Sequence, residues 1–419
     1  MRTLVLVDGE HLPPATLAGI VAARERGHDV VGALLVGGIE KLDPAVPFDL
    51  GVPLRTAGSD RMAALRETLD VWAPEVVLDL SDEPVLGYRE RMELVAVALV
   101  RRIPYLGPDF RLDPPIDGPP LGAPTMAVIG TGKRTGKTAI AGAAARVAVR
   151  RGLDPVVVAM GRGGPSAPQV VEAGTVTLEH LQGLAAQGHH AASDYLEDAL
   201  MTGVTTVGAR RTGGGLAGRP YVSTVREAAD LAVARRPGLV ILEGSGAAVP
   251  PVPWDAGILV VPATVPPEYL GGYLGPFRLL LSDLVVVTMA TGPFTGSENL
   301  SELRSHVLRF LDETRMLVTD FVPEPLRDVR GERVFFATTA PEPAATRQAE
   351  HLEKAHGCRV VGWSARLADR AGLAEDLDAA HGYDVLLTEL KAAAVDTAAA
   401  RATDRGAEVV FVDNRAVVV

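Results

Sequence analysis

The residues with the clearest chemical purpose lie in one run, Gly130-Thr131-Gly132-Lys133-Arg134-Thr135-Gly136-Lys137-Thr138. A glycine-rich turn between an apolar strand and a helix lets backbone N–H groups converge on phosphate oxygens. The helix N-terminus adds the positive end of its dipole. Lys137 is then expected to reach the β- and γ-phosphates of a nucleotide, and the Thr138 hydroxyl to bind Mg²⁺. The spacing departs from the usual loop, because Thr131 stands where a glycine is expected, with Gly130 and Gly132 on either side. Lysine usage sharpens the reading. Of 41 basic residues only five are lysine (41, 133, 137, 354 and 391), and two of the five fall in this loop. A chain that writes nearly every positive charge as arginine keeps lysine where a compact ammonium is needed.

A second acidic signal is Leu239-Val-Ile-Leu-Glu243-Gly-Ser-Gly246. A carboxylate at the end of a buried strand, beside a glycine turn, is placed to serve a phosphate-site Mg²⁺ or to act as a base, so Glu243 is a candidate ligand or catalyst. A helix-capping or surface glutamate is the other reading. After the strand LVVVT stands Met289-Ala-Thr, with no guanine-reading motif, which favours ATP over GTP.

Candidate substrate groups follow. Arg162, in Met160-Gly-Arg-Gly-Gly-Pro, lies just past a strand, at the ligand-binding edge. Arg210, Arg211 and Arg219 surround a glycine loop, and guanidinium forks match phosphate oxygens. A solvated loop explains that segment as well, and its G-x-G-x-x-G (213, 215, 218) has neither a clear strand nor a following acidic residue to support a dinucleotide site. His189, His190, Ser193, Asp194 and Glu197 read as a solvated helix N-terminus rather than a metal site. Lys391, at a strand-to-helix junction, is a candidate anion ligand, and Asp413-Asn414-Arg415 shares that edge. Near the N-terminus, Asp8, Glu10 and His11 end the first strand, Glu40 and Lys41 follow the second, and Asp79 to Glu83 end the third. Such clusters mark a ligand crevice, or arise from turn chemistry alone.

These residues need parallel strands to carry them. Continuous apolar strands alternate with amphipathic helices, which predicts an α/β fold of parallel sheets covered on both faces. Strands are expected at 4–8, 30–36, 76–80 and 104–107, then at 126–130, 155–160, 238–243, 257–262 and 284–289. The tail adds RVFFATT, CRVVGW, YDVLLTE and EVVFVDN. A proline-rich stretch at 107–124 is the best boundary. The expected organisation is an N-terminal Rossmann-like domain (1–122), a P-loop domain (123–330) and a C-terminal α/β segment (331–419) that completes the catalytic unit. Whether the tail forms its own domain or extends the sheet is open.

Composition excludes several classes. The 419 residues are 47% hydrophobic and 22% charged, a globular composition of two or three domains. A net charge of −11 argues against a nucleic-acid or anionic-membrane partner. The single Cys358 excludes an intramolecular disulfide and a thiolate metal cluster, which points to a reducing, cytoplasmic setting. No apolar stretch has the length of a membrane span. The composition is silent on assembly and leaves a homodimer open.

The loop is similar to that of the dethiobiotin synthetase branch of P-loop proteins, and ILEGSG resembles a segment of the same branch. Taken in order, GTGKRTGKT, GRGGP, ARRTGGGLAG, ILEGSG and ELKAAAVD make the chain resemble the cyclic 2,3-diphosphoglycerate synthetases. That resemblance implies an ATP- and Mg²⁺-dependent ligase closing 2,3-diphosphoglycerate into an intramolecular phosphoanhydride, with release of ADP and phosphate. It implies catalytic roles for Lys137, Glu243, Lys133 and Arg162. Two substrate phosphates carry about −3 to −4 together, so an acidic protein must supply cations locally. Lys133, Arg134, Arg162, Arg210, Arg211 and Lys391 are the candidates. Other readings are a P-loop kinase or ligase acting on a different phosphorylated acid, or a nucleotide-dependent switch acting on a protein partner.

Overall fold

The computed structural model describes residues 1–10, 13–39, 42, 48–291 and 296–419. Two sheets organise the chain. The first has six strands: β1 (Arg2–Val7), β2 (Asp29–Leu35), β3 (Leu54–Thr56), β4 (Val76–Asp79), β5 (Tyr105–Leu106) and β6 (Arg111–Leu112). Their order is β3-β2-β1-β4-β5-β6, parallel except for β6. Both faces are covered, which is why β1 and β2 read as unbroken apolar runs.

The second sheet has thirteen strands. They are β7 (Thr125–Gly130), β8 (Pro155–Gly161), β9 (Gln169–Val171), β10 (Thr206–Thr212), β11 (Val222–Ser223), β12 (Leu239–Glu243), β13 (Ala256–Pro262), β14 (Leu284–Thr288), β15 (Met316–Pro325), β16 (Arg333–Ala337), β17 (Arg359–Ser364), β18 (Val385–Thr388) and β19 (Glu408–Val418). The order is β11-β10-β8-β12-β7-β13-β14-β15-β19-β18-β16-β17, with β9 beside β10. From β10 to β14 the strands are parallel, and so are β19, β18, β16 and β17.

The tail thus extends the same sheet, in a particular way. Three residues of β15 pair in parallel with β14, and the next seven pair antiparallel with β19, from Thr319 opposite Val418 to Pro325 opposite Val412. The first residues of β19 pair with β18 instead. The ribbon β15–β19 therefore rises beyond the carboxyl edge of one parallel unit and meets the other unit running the opposite way. Two carboxyl edges, the usual seat of ligands in such sheets, consequently face each other.

Helix Gly275–Leu280 joins the two sheets. Its Phe277 is fully buried in the N-terminal core with Leu94, Leu99 and Tyr105. Phe277→Ala is expected to cost about 3–5 kcal/mol. A urea titration that shows no fall in the unfolding midpoint would mean the N-terminal unit does not depend on this contact.

Candidate active site

The phosphate loop connects β7 to helix Lys137–Arg150. Gly136 must be glycine for two reasons. Its φ is +90°, and a Cβ there would meet the Phe321 ring at 2.3 Å. Lys137 Nζ donates to the Gly132 carbonyl at 2.7 Å and to Thr135 Oγ1 at 3.3 Å. Thr288, at the end of β14, braces the loop by donating to the Thr135 carbonyl at 2.8 Å. Burial pushes the Lys137 ammonium down to about 8, against the opposing pull of Glu243 and Asp194.

Thr138 Oγ1 donates at 2.6 Å to Glu243 Oε1, at the end of β12, two strands' pairing having set this carboxylate beside β7. Glu243 Oε2 finds no donor, nor does either oxygen of Asp198, which is 1% exposed. Burial raises both carboxyls, and the neighbouring Glu243 raises Asp198 further. The Thr138 hydroxyl and the unpartnered Glu243 oxygen are hard oxygen donors of the type Mg²⁺ takes, so the residues present suit that ion. Among the described residues no group of three or more acidic, histidine or cysteine side chains is placed to hold a metal ion.

Above this pair opens a cavity of about 1160 Å³. The P-loop unit contributes Lys133, Arg134, Arg162, Ser245, Asp194 and Glu197 to its lining, and the C-terminal unit contributes Thr339, Arg347, Glu389 and Lys391. Phe321 and Asn414 of the β15–β19 ribbon close the side. Lys133, Arg134, Arg162 and Arg347 line the cavity and make no ion pair with another described residue.

Several expected site residues lie elsewhere. Arg210 turns outward, its Nε donating to the Gly164 carbonyl at 2.7 Å, and it does not line the cavity. Arg211, 5% exposed, braces the loop after β12 by donating to the Ser245 carbonyl at 2.7 Å. The strand missing from the reading of this segment is β10, but it turns into the short antiparallel β11 rather than a helix, so no dinucleotide motif forms. Asp8 ties the first sheet together, accepting from Glu10 N at 3.0 Å and Asp82 N at 2.8 Å. Neither Asp8 nor Glu10 lines the cavity. Asp79 is likewise structural, bound by Ser81, Arg91 and Tyr105. His11, Glu40 and Lys41 lie outside the described residues.

Three family models match the chain in order. The N-terminal domain of cyclic 2,3-diphosphoglycerate synthetase matches residues 2–113, its P-loop domain residues 125–319 and its C-terminal domain residues 325–415. The chain belongs to the cyclic 2,3-diphosphoglycerate synthetase family. It is 46% identical to the protein of that name from Rubrobacter xylanophilus over 99% of this chain and 94% of the relative. It is 40% identical to the one from Methanothermobacter thermautotrophicus, over 99% and 92%. The one from Methanothermus fervidus is 38% identical, over 100% and 93%.

Within this family fold, the helix Asp194–Thr202 is the element misread from sequence. It is buried, not a solvated start. Asp194, Glu197 and Asp198 share one face, and the i, i+3, i+4 spacing of three acids was the available signal. Gly161 lets the helix start approach, since a Cβ there would meet Asp194 Oδ2 at 3.2 Å. Lys391 does reach the cavity, but its ammonium stands 3.4 Å from Glu197 Oε1 and is held above its ordinary range by Glu197 and Glu389. Burial alone would raise Glu389. Lys391 and hydrogen bonds from Asn414, Thr339 and Thr338 outweigh it and hold this carboxylate below its usual range.

Proposed function

We propose that the protein is an ATP- and Mg²⁺-dependent ligase that closes 2,3-diphosphoglycerate into its cyclic phosphoanhydride, releasing ADP and phosphate. The observation that carries this reading is the phosphate loop opening into a cavity lined by Lys133, Arg134 and Arg162, none of them paired with a described carboxylate, in a chain of this family. The activity is assigned to the units at 123–330 and 331–419, whose edges face each other, with residues 1–122 as a supporting domain. Loop residues 130–138 hold the ATP phosphates. Thr138 and Glu243 hold the ion, which when bound neutralises charge on the transferring phosphoryl group.

The γ-phosphoryl group passes to an oxygen of one substrate phosphate, giving ADP and a diphosphate. An oxygen of the other substrate phosphate then attacks the inner phosphorus. The bridging P–O bond breaks, orthophosphate leaves and the ring closes. Lys133 and Arg162 bring the two anions together, and Lys137 leaves the Gly132 carbonyl for the phosphate oxygens.

Phosphorus NMR of the full chain with ATP, Mg²⁺ and 2,3-diphosphoglycerate tests the reading. New coupled anhydride resonances, together with ADP and phosphate, are expected. ATP left intact, or hydrolysed equally without the glycerate, overturns the substrate.

The buried lysine makes ATP binding pH-dependent. Phosphate oxygens raise the Lys137 pKa in the complex, so below pH 8 the ammonium is already present and affinity is flat. Above pH 8 binding must take up a proton, and affinity falls by up to about tenfold per pH unit. Calorimetry in buffers of different ionisation heat is expected to show proton uptake at pH 9 and little at pH 7. No uptake at pH 9 would place Lys137 away from the phosphates.

A further inference from the structure

The C-terminal strand unit carries a crevice of its own. From β16 the chain passes through helix Glu342–His356 to β17, on one side. It then returns through helix Arg370–Ala379 to β18, on the other side of β16. The two connections lie on opposite faces: Leu352 packs with Val334, Phe336 and Val385, whereas Leu373 and Leu377 pack with Phe335, Ala337 and Leu386. The chain leaving β18 joins the second of these faces, where Ala394, Ala398 and Ala402 pack with Leu373 and Leu377, so it parts from the loop leaving β16 and a cleft opens between their carboxyl ends. In open parallel sheets this switch point is where ligands bind.

Here the cleft lies in the wall that faces the phosphate loop. Thr339 and Ala340 line it from β16, and Glu389 and Lys391 from β18. Glu389 already accepts from Thr338, Thr339 and Asn414 and is flanked by Lys391, so its charge is compensated. Lys391 is itself engaged by Glu197. What remains open is on the helix after β16. Arg347 lines the cavity and is exposed, and among the described residues its guanidinium meets only the Pro343 carbonyl, from Nη1 at 3.3 Å. The neighbouring Gln348 has its Oε1 3.4 Å from the Thr338 hydroxyl, whose proton goes to Glu389 at 2.9 Å, and no described residue accepts from its amide N–H groups, which stay available to a ligand. The positive end of this fifteen-residue helix points the same way.

We propose that this switch-point crevice is an anion subsite, in which Arg347 and the Gln348 amide hold the end of the phosphorylated acid remote from the ATP-derived phosphoryl group. The assignment rests on the proposed ligase reading and adds the residues that select a substrate with a second anionic end. Lys391 and Glu389 are positioning residues, fixing the cleft through Glu197 and Thr339.

The test is calorimetry on the full chain with a non-hydrolysable ATP analogue and Mg²⁺ filling the phosphate loop. 2,3-Diphosphoglycerate and inorganic phosphate are titrated separately into wild type, Arg347→Met and Arg347→Lys. Arg347 is exposed, so thermal melting of both variants should match wild type. Arg347→Met is expected to weaken both ligands at least tenfold, Arg347→Lys less, with affinity for the ATP analogue changed by less than twofold. Wild type that binds phosphate in an Arg347-dependent way but ignores diphosphoglycerate keeps the crevice and overturns the substrate. Diphosphoglycerate binding equal in wild type and Arg347→Met overturns the crevice. Loss of the ATP analogue alone in Arg347→Met assigns the arginine to the nucleotide and also overturns it.

Discussion

Lys137→Ala is expected to lower turnover by a factor on the order of 10³ or more in a protein that still folds. The side chain is 7% exposed and donates to Gly132 and Thr135, yet burial disfavours its charge. Removing it therefore relieves a desolvation cost while losing two loop hydrogen bonds, and the melting temperature should move by only a few degrees. The effect on catalysis is large because the ammonium is the one loop cation built into the helix start, where it meets the transferring phosphoryl group and not merely the bound nucleotide. ATP turnover with the phosphorylated acid, measured beside thermal melting, separates the two. A folded Lys137→Ala protein with turnover near wild type would sink the phosphate-transfer assignment.

The legible part of this site was the part written in consecutive residues. The run 130–138 declares its geometry because backbone N–H groups, a positive-φ glycine and a helix start must follow one another directly. Glu243 was readable for a similar reason, as a carboxylate ending an apolar strand. Distant partners were not. Arg210 and Arg211 looked alike, yet alternation along β10 sends one outward to Gly164 and the other inward to Ser245. Periodicity could not show this without recognising the strand, whose glycine and two arginines conceal it.

The C-terminal contribution was half visible. Lys391 stood out by type, but Arg347 is one of many arginines on a polar helix and carries no local mark. Its relevance comes from the long ribbon β15–β19, which turns two parallel units edge to edge. Neither strand alternates cleanly, because each passes from one pairing partner to another midway. The N-terminal cluster illustrates the reverse. Asp8 and Asp79 sit at strand ends as ligand residues do, but backbone amides, Arg91 and Tyr105 already use their oxygens.

Glu243→Gln should separate stability from function. The amide keeps the shape of the carboxylate and still accepts from Thr138, so the end of β12 stays in place. In the wild type Asp198 and Glu243 confront each other without a donor from any described residue. Glutamine brings an N–H to that contact, satisfying an Asp198 oxygen directly, and a buried hydrogen bond contributes about 0.5–1.5 kcal/mol. Melting temperature is therefore expected to rise or hold. Turnover is expected to fall about 10²–10³-fold, because the amide cannot offer the anionic oxygen that a divalent ion and the developing phosphoryl charge require. The Mg²⁺ concentration for half-maximal rate should rise as well, which a purely structural glutamate would not produce. A variant as stable as expected but with wild-type turnover and unchanged Mg²⁺ dependence would return Glu243 to a capping role. One that is inactive and markedly less stable would show that the acidic pair holds the strand in place.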